Sequence, residues 1–470
     1  SGNGLDYQYH PLFRDFLLNR AKSLFSHRDL VVLYKEAALL LDHAGQTEDA
    51  ARLFSAAGDW DSLTLMVLKH ARELLAQGRY KTVEEWIAAI PGKMVDDNPW
   101  LLYWTGICSF AVNMSRARKF LEKAFALFRA KNDISGVYLS WAGIVDTYAF
   151  GLDEWRRLDY WITVFNELLR AYPSFPSKEI DLMASSRMLI SLTLRNTDQP
   201  QWVHSWLQRV NALLQENPSL DIQMDTVFCM NVYYLWKGEY HKNAVLLEKA
   251  ATQVRYCNLT YITIIRIKLM MGIHYWITAR YNDALKTLSE GLDISDKNGI
   301  HVLDSLLWGF CGAVELARGN LELAEESLNK QMTSLLDVGT PLDLYFYHIN
   351  SAWCAILKGN QSLATEHMET VSSSVEKMGT PYYRALWHIG MGQIAFLRER
   401  ARDAKAHVRT AHHISLAMKS HVMEWYSLLI DAWFLLHEGK RAKGVQSLRY
   451  ALTLGRKHGY THLEFYQPAI

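Results

Sequence analysis

From Asp221 onward the chain repeats itself every forty residues, and that period restricts the fold more than any other feature. Laid out in blocks of forty, residues 221–460 give six rows without an insertion. One column reads Val232, Gly272, Gly312, Ala352, Gly392, Ala432, and twelve residues on another reads Ala244, Ala284, Ala324, Ala364, Ala404, Gly444. Four further stand Leu288, Leu328, Met368, Val408 and Leu448, with Glu248 as the exception; three beyond those come Ala251, Gly291, Gln331, Val371, Ala411 and Ala451. Gly299, Gly339, Gly379 and Gly459 mark the row junctions, with Leu259 and Lys419 as departures.

This pattern describes one helical hairpin per row. A small residue in the first helix lets the second approach closely, and the second supplies a small residue, a larger apolar one a turn later and another small one. Gly suits the left-handed close of a helix, and the Pro of Thr340-Pro341 and Thr380-Pro381 suits the first turn of the next. Turns inside the hairpins show as Arg318-Gly319-Asn320, Lys358-Gly359-Asn360 and Glu438-Gly439-Lys440. The pattern resembles the tetratricopeptide repeat, lengthened to forty residues. The fold expected is all-α: an α-α superhelix with a concave inner surface, preceded by a short helical arm.

Composition agrees with helix. Pro occurs 10 times in 470 residues and not once between Pro218 and Pro341. Lys plus Arg (50) balance Asp plus Glu (49), so no global field draws the chain to nucleic acid or anionic lipid. The five Cys form no CxxC, which argues against a disulfide scaffold or a Cys-based zinc site and fits a cytoplasmic protein. The uncharged run Asn98 to Ser115 is interrupted by Asn, Pro, Thr and Ser, and reads as a buried helix rather than a membrane span. Ser1-Gly2-Asn3-Gly4 reads as a cloning remnant and the start as that of a piece of a longer protein.

The first half is helical and less regular. Ala117, Leu121 and Ala124 reproduce the second-helix pattern once, and residues 106–220 read as degenerate repeats broken by Pro173, Pro176, Pro200 and Pro218. Residues 26–105 read as an arm of short amphipathic helices with turns at Gly45, Gly58 and Gly78. Here His10 to Leu17 (HPLFRDFL), Ala56 to Trp60 (AAGDW), Leu74 to Arg79 (LLAQGR) and Trp86 to Pro91 (WIAAIP) resemble the MalT-like transcription regulators, of the signal-transducing ATPase class. The resemblance implies that residues 1–25 close a winged-helix segment. It also implies that the chain is the effector-sensing and oligomerisation region of an ATP-dependent bacterial regulator. ATP would then be bound, and DNA contacted, only by domains outside this chain, which has no GxxxxGK[ST].

No HExxH, GxSxG or dinucleotide fingerprint occurs, so no residue is assigned a catalytic role and no cofactor or metal is assigned to this chain. His348, His388, His407, His412 and His413 recur along the rows without a Cys or carboxylate at ligand spacing, and read as packing. The aromatic columns carry the binding expectation. Projected on a tetratricopeptide-like superhelix, Tyr233, Trp236, Arg266, Trp276, Phe346, Trp353, Gln393 and Trp433 face the groove, where rings would stack on an effector or a peptide; the alternative is packing between rows. From Ala395 to Tyr460, 12 Lys and Arg face five acids, which reads as a solvated face or one docked beside DNA. Two functions stay open: an effector sensor that self-associates, and a tetratricopeptide-type scaffold for a protein segment with no small-molecule effector.

Overall fold

In this computed structural model, residues 16–17, 20–21, 23–110, 113–151, 154–195, 200–216, 218–256, 259–338 and 340–465 are described. Most of the winged-helix segment expected at 1–25 lies outside them. Among the described residues every regular element is helical, and none of the helices is long and apolar enough to cross a membrane.

The arm comprises helices at His27–His43, Thr47–Ala56, Trp60–Ala76, Tyr80–Ala89 and Gly92–Asp97. Its chain reversals come from local chemistry. Ser26 and Asp29 form a reciprocal capping box, and Asp59 caps the helix of the AAGDW corner by accepting from the Ser62 amide. The arm has its own core, from Ala38 to Cys108, which meets the larger core at the helix Pro99–Ser109.

Then come helical hairpins. Pro99–Ser109 with Met114–Ala130, Ile134–Ala149 with Leu158–Ala171, and Lys178–Arg195 with Pro200–Leu214 make three, so the irregular stretch is built like the rest. The six rows follow: Leu220–Lys237 with Tyr240–Tyr256, Tyr261–Ile277 with Tyr281–Asn298, Asp304–Arg318 with Leu321–Val338, Pro341–Leu357 with Gln361–Met378, Pro381–Leu397 with Ala401–Met418, and His421–His437 with Arg441–His458.

The small-and-large columns are the hairpin contact itself. A Cβ on Gly272 would stand 2.5 Å from Leu288, one on Gly312 3.1 Å from Leu328, and one on Gly392 3.0 Å from Val408. Gly106 meets Leu121 in the same way, at 2.7 Å, which ties the first half to the same geometry. Ala284, Ala324, Ala364 and Ala404 are fully buried beneath these contacts.

Row one corrects the register. Each of its landmarks stands 41 residues before its counterpart in row two, as in Tyr240 and Tyr281, which start the second helices, or Gly238 and Ala279, which take left-handed backbone in the turns. The core positions are therefore Asn243, Leu247 and Ala250, not Ala244, Glu248 and Ala251, and Glu248 lies exposed. The extra residue falls in the junction between the two rows, where Leu259 had broken the Gly column. The same slip displaces two groove assignments: Val232 and Leu235 are the counterparts of Ile273 and Trp276, not Tyr233 and Trp236.

The superhelix closes on itself. The indole of Trp236 stacks on Tyr382 at 4.6 Å with ring planes 5° apart, and Trp155 stacks on Tyr383 at 5.9 Å. Ser420 Oγ donates to the Trp236 carbonyl at 2.5 Å, Lys237 reaches the Met418 carbonyl, and Arg195 reaches that of Gly379. Rows five and six thus seal against the third hairpin and row one, about one superhelical turn away.

Candidate functional site

Closure gathers the concave surface into a channel that stays partly open to solvent. Its wall is built by first helices, and four consecutive ones place a charged residue at nearly the same height: Asp146, Arg187, Asp225 and Arg266. Arg187, 3 % exposed, donates through Nε to Asp146 Oδ1 at 3.0 Å and through one terminal nitrogen to Asp146 Oδ2 at 3.0 Å and Asp225 Oδ2 at 3.1 Å. Arg266 completes the ladder on Asp225 Oδ1 at 3.0 Å and lies over the rings of Phe150 and Phe228. Burial pushes the Asp146 carboxyl up to about 6, against the pull of Arg187. Burial also opposes the charge on Arg187, but the carboxylates of Asp146 and Asp225 outweigh it and hold the guanidinium above its ordinary range.

Beside this ladder the channel opens into a cavity of about 1330 Å³. Aromatic groups from Trp155, Trp236, Trp276, Phe310, Phe346, Tyr382 and Tyr383 surround it. Its charged lining is mainly acidic: Asp146, Glu179, Asp221, Asp225, Asp343 and Glu464 against Arg72 and Arg266. Both arginines are already engaged, Arg72 with Glu179 at 2.9 Å and Arg266 with Asp225. Asp221 and Glu464 carry no such partner among the described residues, and burial raises both carboxyls, Glu464 to about 8. Leu336, 78 % exposed, stands at the rim.

Of the residues assigned to the groove from sequence, Trp236, Arg266, Trp276 and Phe346 line this cavity. The other four do not border it. Tyr233 is half-buried against Tyr234, Trp433 packs on Phe396 and Phe434, and Gln393 is wholly buried. Trp353, 2 % exposed, packs on His462 and Phe465, from a segment beyond the sixth row. Packing therefore claims half of the aromatic positions, and the chain's own later residues cover part of the inner face. The sequence reading passed over Asp146, Arg187, Asp225 and Glu464. Stepping back from Arg266 by about forty residues at a time finds the first three, provided row one is read one residue early.

The repeated histidines pair across hairpins, His348 with His367 and His388 with His407, with Nδ1 atoms 2.9 and 2.8 Å apart. Burial lowers the pKa of all four, so one ring donates and the other accepts. No group of three or more His, Cys, Asp or Glu able to hold a metal ion occurs among the described residues. In the basic last rows Glu438 draws in Lys405 and Lys440, and Asp403 draws in Arg400.

The fold and the channel define the class: a tetratricopeptide-like α-α superhelix. Comparison with solved structures agrees. A Rap protein complexed with competence and sporulation factor aligns with a TM-score of 0.53 at 11 % identity, covering 68 % of this chain and 87 % of that one. Yeast Tom70 (TM-score 0.35, 10 % identity, 92 % of this chain and 94 % of that one) and a human IFIT1 dimer with PPP-AAAA (0.38, 13 %, 95 % and 94 %) are more distant. No protein-family profile matches the chain, and neither does any curated protein sequence.

Proposed function

We propose that this chain is a protein-interaction scaffold that receives an extended peptide segment in the channel formed by its superhelix. The observation that carries the reading is the cavity: at about 1330 Å³ larger than an ordinary small-ligand pocket, walled by rings that stack on side chains, and lined mainly by first helices. Its charged side chains are mostly paired within the wall, Arg72 with Glu179 and Arg266 with Asp225, so the rings supply most of the contact to the incoming segment. The Rap protein, alike in fold, is complexed with the competence and sporulation factor, which supports a ligand held by such a superhelix.

Panning a displayed random-peptide library against the chain tests this. Selected peptides should be enriched in aromatic side chains, and Leu336→Trp, which narrows the rim without touching the core, should weaken them at least tenfold. Peptides that bind Leu336→Trp as well as the unaltered chain would place binding elsewhere and end the proposal.

A second reading is favoured by the aromatic lining: a small effector stacked on those rings, with ATP and DNA bound by domains outside this chain, as the likeness to MalT-like regulators implies. A metabolite at 100 times its dissociation constant would stabilise the chain by about 2.7 kcal/mol. A thermal-shift panel separates the two readings, because a small-molecule hit that competes with the selected peptides belongs to the second.

A further inference from the structure

The segment after the sixth row has no regular structure up to Leu463 and turns at Glu464 and Phe465; Tyr460, His462, Leu463 and Phe465 are buried, and the segment reaches beyond its own row. The Tyr460 hydroxyl donates to the Gly238 carbonyl at 2.9 Å, in the turn of row one, and its ring packs edge-on to Tyr240 at 5.1 Å. Gly238 leaves the room: a Cβ there would stand 2.0 Å from that hydroxyl. The His462 ring lies 4.8 Å from Trp276 of row two and 6.3 Å from Trp353 of row four, with Nδ1 3.1 Å from the Tyr281 hydroxyl. Phe465, 1 % exposed, packs against Trp353 and under Gly390 of row five. Six residues thus cross the inner face of several rows, each large side chain in its own recess.

We propose that residues 460–465 are a tethered ligand of the inner face, seated beside the cavity with Glu464 at its border, and displaced when a partner's segment extends from the cavity onto the same recesses. The partner is an extended peptide with aromatic side chains flanking a small neutral ring and a leucine. This rests on the scaffold reading above and adds its regulation.

Displacement is favoured by how poorly the seat is matched. Trp276 Nε1 and His462 Nε2 are buried without a hydrogen-bond partner among the described residues. Glu464 lies within electrostatic reach of Tyr240, Tyr345, Tyr382, Tyr383 and Tyr426 and makes no salt bridge among the described residues. Burial keeps both titratable groups neutral, His462 with a pKa lowered to about 3 and Glu464 with one raised to about 8. Unpaired buried polar groups weaken a contact, yet attachment to the same chain holds even an imperfect peptide in place at millimolar effective concentration. A free peptide that satisfies those atoms can therefore win.

The test uses the full chain and a fluorescein-labelled synthetic peptide spanning residues 459–470. Its affinity is measured for the unaltered chain, for His462→Ala/Phe465→Ala, and for Thr461→Ala, whose side chain is exposed. The double variant should bind at least tenfold more tightly than the unaltered chain, with Thr461→Ala unchanged. Equal affinity for all three, or no binding to any, overturns the proposal. Should the double variant fail to fold, amide exchange on the unaltered chain decides. Excess peptide should accelerate exchange in 460–465 and not in the outer helices, and no acceleration at 1 mM peptide overturns the tether. Library-selected peptides that bind all three proteins equally leave the scaffold standing and refute the tether. Failure of every peptide, selected ones included, refutes both.

Discussion

Removing the guanidinium of Arg187 tests the charge ladder in the channel wall. In Arg187→Met, Asp225 keeps Arg266 at 3.0 Å, but Asp146, 13 % exposed, loses the only cation among the described residues in hydrogen-bond contact with it. Breaking a buried ion pair by deleting one partner costs about 3–5 kcal/mol, because the remaining charge has neither water nor counter-ion. Amide exchange in the helix Lys178–Arg195 reads that loss locally, and should quicken by about two to three orders of magnitude or more. Asp146→Asn in the same chain should recover most of it, since a neutral pair is not charged for desolvation. The deficit should also depend on pH. Folded Asp146 titrates at about 6, above the ordinary 3.8, and without Arg187 it titrates higher still. The variant's carboxyl is then neutral and tolerated near pH 5, and the deficit grows as pH rises through 6 to 8. A loss below about 1 kcal/mol, or one unchanged between pH 5 and 8, would refute the reasoning.

Further predictions concern packing, backbone and the seated segment. Gly272→Ala, whose Cβ would lie 2.5 Å from the fully buried Leu288, should destabilise its hairpin by about 1–3 kcal/mol, with Leu288→Ala partly compensating in a double-mutant cycle by local exchange. Lys419 holds left-handed backbone at φ +50° where rows two, four and six have Gly299, Gly379 and Gly459, so Lys419→Gly should stabilise that junction by up to about 1 kcal/mol in a denaturant titration. Glu464 has a folded pKa raised to about 8, so the stability it lends is full below about pH 4.5 and lost as pH rises through 8. Exchange of the 460–465 amides should therefore quicken from pH 5 to 9 beyond the intrinsic rate, and Glu464→Gln should flatten that extra dependence.

The hairpins were legible because their contact is local and repeated. A glycine that meets a leucine sixteen residues later, as Gly272 meets Leu288 and Gly312 meets Leu328, leaves a column in the sequence. Row one deceived that reading because one extra residue in the junction that follows it shifts every row-one assignment by one without breaking the hairpin; Glu248 and Leu259 were the visible symptoms. Closure was not legible. The stack of Trp236 on Tyr382 and the bond from Tyr460 to Gly238 join residues 146 and 222 positions apart, and nothing periodic records them. For the same reason the groove could be projected only in part. Trp276 and Phe346 line the cavity as their column predicts, whereas Trp353 faces the same way and is covered by His462 and Phe465. Whether an inward aromatic is wall or packing depends on where the rest of the superhelix comes to lie.

A channel that holds an extended peptide must touch it with inward side chains. Photo-crosslinking tests this most directly, using a library-selected peptide with benzophenone at its centre and mapping the adducts by mass spectrometry. The account predicts adducts on inward residues of the first helices, such as Phe228, Phe310 and Phe346. Adducts confined to the outer second helices, as at Leu323, Leu363 or Leu416, would contradict it.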